Sequence, residues 1–204
     1  MAADLRIRRA TTEDVPRIAA VLADAFSTDV PMRWFLAASR RSPQLLRRYF
    51  AALAPRLHMR HGEAWVSDEP LGAALWVEPG RWPAPLRDEL TMAPTLLRTF
   101  GRHPVRGIAG LRAVERGHPT RAHWFLDYIG VEAAARSRGT GSALMQPVLE
   151  RCDAEGLPAC LNAGSERSRD LYRRHGFEVV QRIDLPFDGP PLWRMWREPA
   201  PNLA

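Results

Sequence analysis

The chain has 204 residues, a formal net charge of +6 and two cysteines, long enough for one domain, 1–204, with a sizeable core. No apolar run approaches the roughly 18–20 residues of a membrane span, and the N-terminal stretch lacks the apolar region of a secretory signal. Cys152 and Cys160 fit neither a zinc pattern nor a disulfide framework, so the expectation is a cytoplasmic protein with buried thiols, no metal and no membrane contact.

All the basic residues are arginine, and seven of them fall between Met32 and Gly62 without an acid among them. Such a stretch can attract polyanions. A G+C-rich genome also inflates Ala, Arg, Gly and Pro together, and the aromatic-basic interleaving of single-strand binders is missing. No nucleic-acid partner is expected.

In chain order, "LRIRRA" alternates like a strand. In "TTEDVPRIAAVLADAF", Thr11 or Thr12 can cap a helix that repeats Ile18, Val21, Leu22 and Phe26 at helical spacing. "PMRWFLAAS" reads as a short helical or irregular segment. "SPQLLRRYFAALAPRLHMR" is a helix with Ser42 as cap and Pro43 at its first position. "EAWVSD" and "LGAALWVEP" form a strand pair around a turn at Glu69 and Pro70. Residues 80–120, broken by five prolines, carry one or two helices as an insertion. "HWFLDYIGV" is a long strand, "RGTGSALMQPVLERCDAEG" a helix ending at Gly156, "LPACLNA" a strand and "SERSRDLYRRHG" a helix closed by Gly176. "FEVVQRIDLP" and "PLWRMWREP" end the chain as a strand pair. This order predicts an α/β (α+β) fold, a mixed sheet with helices on its faces.

The stretch "ARSRGTGSALM" sits between a strand ending at Val131 and a helix starting near Gly141. A helix N-terminus presents unsatisfied N–H groups and a positive dipole end, and so suits an anion. Gly139 and Gly141 would let phosphate oxygens approach the backbone, with charge from Arg136 and Arg138. A Walker loop is excluded, because the chain has no lysine. A dinucleotide fingerprint is excluded, because Leu144 stands where the third glycine is required.

"VEAAARSRGTGSAL" resembles the acyl-CoA pyrophosphate loop of the GNAT superfamily of N-acyltransferases, with Arg136, Gly139 and Gly141 filling its pattern. "SERSRDLYRRHGFEVV" is similar to that family's second signature through Leu171, Tyr172, Gly176 and Phe177. Within the family the chain resembles puromycin N-acetyltransferase-like bacterial proteins in "WFLDYIGV", "GTGSALMQPVLERCDAEGLPACL" and "PLWRMWREP". It departs from them at Asn162, where the puromycin-acetylating enzyme has a glutamate, and from many members at Ser165, where they have asparagine.

The resemblance implies a mostly antiparallel sheet of about seven strands, splayed at the acyl-CoA site. It implies an acetyl-CoA-dependent N-acetyltransferase acting on an amine by direct attack in a ternary complex. The acceptor would be a small molecule or, alternatively, a protein; a non-catalytic CoA- or nucleic-acid-binding module is the remaining reading, and the protein would be a monomer or homodimer. The backbone of Ile129, Gly130 and Val131 would pair with the pantetheine arm, with a bulge at Gly130. The turn Arg136, Ser137, Arg138, Gly139, Thr140, Gly141 and Ser142 would bind the pyrophosphate, and Ser165 would lie beside it. Tyr172 would be the general acid and would touch the cofactor. Asp127, in alternation with Ile129 and Val131, is the candidate base. Trp34 and Asn162 are the candidate substrate contacts, with Phe35 and Tyr49 as further candidates to line the acceptor pocket.

Overall fold

The computed structural model describes residues 5–36, 42–68, 71–82, 85–101, 103–136 and 138–200. In chain order its elements are β1 (Ile7–Arg9), α1 (Val15–Ser27), α2 (Val30–Phe35), α3 (Ser42–Leu53), α4 (Met59–His61), β2 (Gly62–Ser67) and β3 (Gly72–Val77). There follow α5 (Leu86–Phe100), α6 (Pro104–Glu115), β4 (Trp124–Val131), α7 (Thr140–Glu155), β5 (Ala159–Ala163), α8 (Glu166–Arg173), β6 (Glu178–Asp184) and β7 (Pro191–Arg197). The strands form one sheet in the order β1-β2-β3-β4-β5-β7-β6. Every neighbouring pair is antiparallel except β4–β5. The mixed, mostly antiparallel sheet is as expected. Ser42, expected as a cap, is the first residue of α3, and the turn expected at Glu69 and Pro70 lies outside the described residues.

Thr11 stands at the cap of a 3-10 turn, Thr12–Asp14, and α1 itself starts one turn later than the sequence places it, at Val15; Asp14 sets the start. Its carboxylate accepts the Thr11 backbone N–H at 2.8 Å and takes two bonds from Arg8, at 2.7 and 2.8 Å. Ile18, Val21 and Leu22 then face the sheet and are buried. One layer of core lies between the sheet and α1 with α3, around Leu46, Phe50 and Leu75. A second lies between the sheet and α7 with α8, around Trp76, Met145, Leu161 and Phe177. Both cysteine thiols are buried and free, and burial pushes each up to about 12.

Two backbone irregularities interrupt this regular frame. The helix α3 runs into α4 through a π-helical turn, Ala54–His58. Pro55 lies in that turn and has no N–H to complete an ordinary α-turn. In the sheet, β3 and β4 lose register between Leu75 and Trp76: Leu75 faces Tyr128, while Trp76 faces Leu126. Asp127 is therefore the extra residue of a β-bulge. The bulge expected at Gly130 is not there, because Gly130 pairs regularly with Ala73. Gly130 is needed for a different reason. A Cβ on it would stand 2.7 Å from the Ala25 Cβ and 3.0 Å from Leu22, so the glycine lets α1 lie close against β4.

Candidate active site

Strands β4 and β5 pair in parallel for only three residues each, from Trp124↔Ala159 to Leu126↔Leu161. Beyond that point β4 continues along β3 to Val131, while β5 continues along β7 to Ala163. The sheet therefore splits. The β5-facing edge of β4 at Ile129, Gly130 and Val131 has no strand partner among the described residues.

Three connected cavities run through the split. On the α7 side a slot of about 370 Å³ is lined by Ile129, Gly130, Val131, Arg136, Gly139, Gly141, Ser142, Ser165 and Tyr172. It shares Ile129, Ser165 and Tyr172 with a narrow neck of about 170 Å³, which Asp29, Asp127 and Asn162 also line. Those three polar residues lead into an apolar cavity of about 330 Å³, walled by Phe26, Phe35, Tyr49, Met92 and Phe125. The chain thus brings together from four different elements most of the residues that the sequence singles out.

The slot suits a pyrophosphate on a direct observation. Gly139 precedes α7 with φ +87°, and among the described residues no side chain caps that helix, which suits its first N–H groups to an anion. The hydroxyl of Thr140 is buried without a partner among the described residues. Arg136 and Arg138 are exposed beside the turn; Arg136 lines the slot and makes only a long 3.4 Å contact to the Val131 carbonyl. Thr140 sits beneath the turn instead of facing the slot, and Ser137 lies outside the described residues. The Ser142 hydroxyl is 2.8 Å from His175 Nε2. Ser165 caps α8, its hydroxyl accepting the Ser168 N–H at 3.2 Å.

Tyr172 stands where the slot meets the neck and packs against Phe177 with ring centroids 6.1 Å apart. Among the described residues its hydroxyl has no hydrogen-bond partner. Burial first, and the Asp29 carboxylate second, hold its phenol above the ordinary tyrosine range. Asp29 itself accepts the Met32 N–H at 2.8 Å as the cap of α2, and burial raises its carboxyl pKa.

Asp127 is at the neck, but not in alternation with Ile129 and Val131. Those two side chains pack on the α7 side, whereas Asp127 contacts His58, from the α3–α4 side, at 3.0 Å. The bulge is the reason: one extra residue reverses the side-chain phase of the strand. Asp127 keeps the phase of Phe125, Tyr128 shares its face, and Ile129 and Val131 return to the α7 side.

Asn162 faces the neck as expected, and its Oδ1 takes a long 3.4 Å contact from Arg194 Nε. Arg194 is buried and also donates to Gln181 at 2.7 Å and to the Val114 carbonyl, tying β7 to the end of α6. Trp34, expected to contact substrate, does not line the cavity. It packs edge-on against Phe35, under the Arg106 guanidinium and beside Leu185 and Leu192. Phe35 and Tyr49, the other aromatic candidates, do line it.

Asp29 and His58 were not legible in the sequence, nor was the pairing of the Tyr49 hydroxyl with that of Tyr128, 2.8 Å away. The cap position of Asp29 ahead of "VPMRWF" and the mid-helix Pro55 are the only local signals of the first two. Nothing local marks the tyrosine pair.

The model of the acetyltransferase (GNAT) family matches residues 39–177, more than half of the chain. The chain belongs to the GNAT acetyltransferase family. This acetyltransferase is 28% identical to an uncharacterised N-acetyltransferase of Schizosaccharomyces pombe, across 94% of this chain and 83% of the yeast one. A Corynebacterium glutamicum structure described as histone acetyltransferase HPA2 and related acetyltransferase is 28% identical, with a TM-score of 0.76 over 99% of this chain and all of that one. Arylalkylamine N-acetyltransferase 2 of Aedes aegypti shares the fold, with a TM-score of 0.63 at 12% identity over 96% of this chain and 99% of that one. The GNAT acetyltransferase is thus an enzyme of acetyl transfer, and acetyl-CoA is its family's cosubstrate.

Proposed function

We propose that this acetyltransferase moves the acetyl group of acetyl-CoA to a primary amine of a small, largely apolar molecule, by direct attack within a ternary complex. The observation that carries this reading is the aromatic cavity of about 330 Å³. It is joined to the slot by a neck that holds two carboxylates and a tyrosine. Its volume lies in the range of small-molecule sites. Cover from α2, α5 and α6 suits a compact acceptor better than an extended peptide.

Bound acetyl-CoA supplies the acetyl group as a thioester. The turn from Arg136 to Ser142 and the N-terminus of α7 hold the pyrophosphate, and the free edge of Ile129, Gly130 and Val131 pairs with the pantetheine arm. Asp127 takes a proton from the acceptor nitrogen, which then forms the new C–N bond. Tyr172 gives its phenolic proton to sulfur as the C–S bond breaks, and recovers one from solvent. Asn162 orients the acceptor at the neck.

Two measurements test the reading. Acetyl-CoA at a hundredfold excess over its dissociation constant is expected to add about 2.7 kcal/mol of apparent stability; no melting shift and no calorimetric heat would overturn cofactor binding. Free-thiol release, scored across a panel of small apolar amines beside a panel of peptides, is expected with the amines. Turnover confined to peptides would overturn the small-molecule assignment and leave acetyl transfer standing.

A further inference from the structure

We infer that His58 is a positioning residue for the reaction: it holds one oxygen of Asp127, so that the other faces the acceptor nitrogen at the neck. The inference rests on the reading of Asp127 as proton acceptor given above.

The geometry begins with the backbone. Two irregular turns in different elements meet in a single hydrogen bond. The π-helical turn of Ala54–His58 adds a residue to the helical path, which rotates the side chains after it by about 100°. The bulge at residue 127 turns β4 over at the same level. A regular α-turn would aim His58 elsewhere, and the bulge puts Tyr128 on the face of Asp127, beside the His58 ring. As folded, His58 Nε2 lies 3.0 Å from Asp127 Oδ2. π-turns and bulges of this kind gather at functional sites.

Burial adds the second argument. The His58 side chain is wholly inaccessible to solvent, whereas the Asp127 carboxyl keeps 16% of its exposure and lines both the neck and the acceptor cavity. The imidazole therefore stands behind the carboxylate, away from substrate. An ionised carboxylate only accepts, so Nε2 carries the proton of this bond. His58 Nδ1 is buried without a partner among the described residues. A bare lone pair there is cheaper than an unsatisfied N–H, which favours the same tautomer. The ring is also fixed from the side by Tyr128, at 6.2 Å and nearly perpendicular.

A donor locked on Oδ2 fixes the rotation of the carboxylate. The proton from the acceptor then lands on Oδ1, while the Nε2–H stays on His58, and Asp127 later releases its proton to solvent. Other groups face the same space. Asp29 comes from the α1–α2 junction, Tyr49 from α3, Tyr128 from β4 and Glu115 from α6. None of them replaces the donor on Oδ2.

The test compares His58→Phe, His58→Gln and Asp127→Asn in the full chain, with acetyl-CoA and an amine that the wild type acetylates. In His58→Phe, kcat is expected to fall about tenfold to a hundredfold. The dissociation constant of acetyl-CoA should stay within about twofold of wild type, since the slot is untouched. His58→Gln, which can place an amide N–H near Nε2, should return kcat toward wild type.

A near-normal kcat in His58→Phe overturns the inference. So does a His58→Gln variant no better than His58→Phe. Should His58→Phe fail to fold, nitrogen-15 spectroscopy of the wild-type histidines decides, with the His58 signal assigned by its loss in His58→Gln. A proton on Nε2 is expected; a ring bare at Nε2 and protonated at Nδ1 overturns the inference. Wild-type turnover in Asp127→Asn would remove the Asp127 reading itself, and the role of His58 with it. An inactive Asp127→Asn beside a normal His58→Phe would sink the His58 inference alone.

Discussion

At the scale of single residues, the site depends on where titratable groups are buried. Tyr172 is only 7% exposed, and its raised pKa keeps the phenol protonated across the neutral and mildly alkaline range. That is the state a general acid needs before sulfur leaves. Tyr172→Phe keeps the ring against Phe177 and removes only the hydroxyl. Acetyl-CoA binding is therefore expected to change little, while turnover falls by about 10²- to 10⁴-fold, in kcat and kcat/KM together. Steady-state kinetics beside calorimetry checks both halves. A variant with normal turnover would leave Tyr172 a packing residue; one that loses the cofactor as well would make it chiefly a binding contact. Tyr172 was legible from its signature with Leu171, Gly176 and Phe177. Asp29 and His58 were not, since a lone aspartate and a lone histidine look the same in any loop or helix until the fold gives them neighbours.

At the scale of elements, the turn before α7 is where backbone conformation and ligand chemistry coincide. Gly139 has φ +87° and ψ −9°, a region that residues with a Cβ enter at a cost of roughly 1–2 kcal/mol. A Cβ there would meet nothing within 4 Å, so the penalty is conformational, not steric. Gly139→Ala is expected to fold with stability lowered by about that amount, read from urea unfolding. It is also expected to bind acetyl-CoA more weakly, because relaxing φ turns the first N–H groups of α7 away from the anion. An unchanged dissociation constant would show that the turn is not the pyrophosphate site. The sequence placed this helix and both glycines correctly, because glycine, helical spacing and a preceding strand are all local signals. It misplaced the bulge. Gly130 marks a close approach by α1, and the residue that bulges is an aspartate with no local turn chemistry.

At the scale of the whole molecule, buried ionisable groups limit stability on both sides of neutrality. Burial pushes His118 down to about 3, and it lowers His123 and His175 as well. The unfolded chain takes up protons at these positions near pH 6.5 and the folded one does not, so stability falls as pH drops through that value. Asp14 and Asp153, held low by Arg8 and Arg197, add a further loss once pH falls below about 4. On the alkaline side the two thiols are pushed up to about 12 and the three tyrosines are raised too. The unfolded chain ionises there first, from about pH 8.5 for cysteine and about 10 for tyrosine, so stability falls as pH rises. Unfolding by urea across pH is expected to show its maximum between about pH 6.5 and 8.5. A maximum near pH 5 would contradict the burial of the histidines. By itself, the sequence determined the order of strands and helices, the glycine turn ahead of α7, the place of Tyr172 on its helix and the family, all carried by residues close together in the chain. The tertiary structure alone decided which face Asp127 presents, that His58 stands behind it, that Asp29 shares the neck and that Trp34 lies off the cavity that Phe35 and Tyr49 wall. The physical reason is that one bulge and one π-turn each reset the side-chain phase of everything beyond them, and each is stabilised by packing between elements distant in sequence.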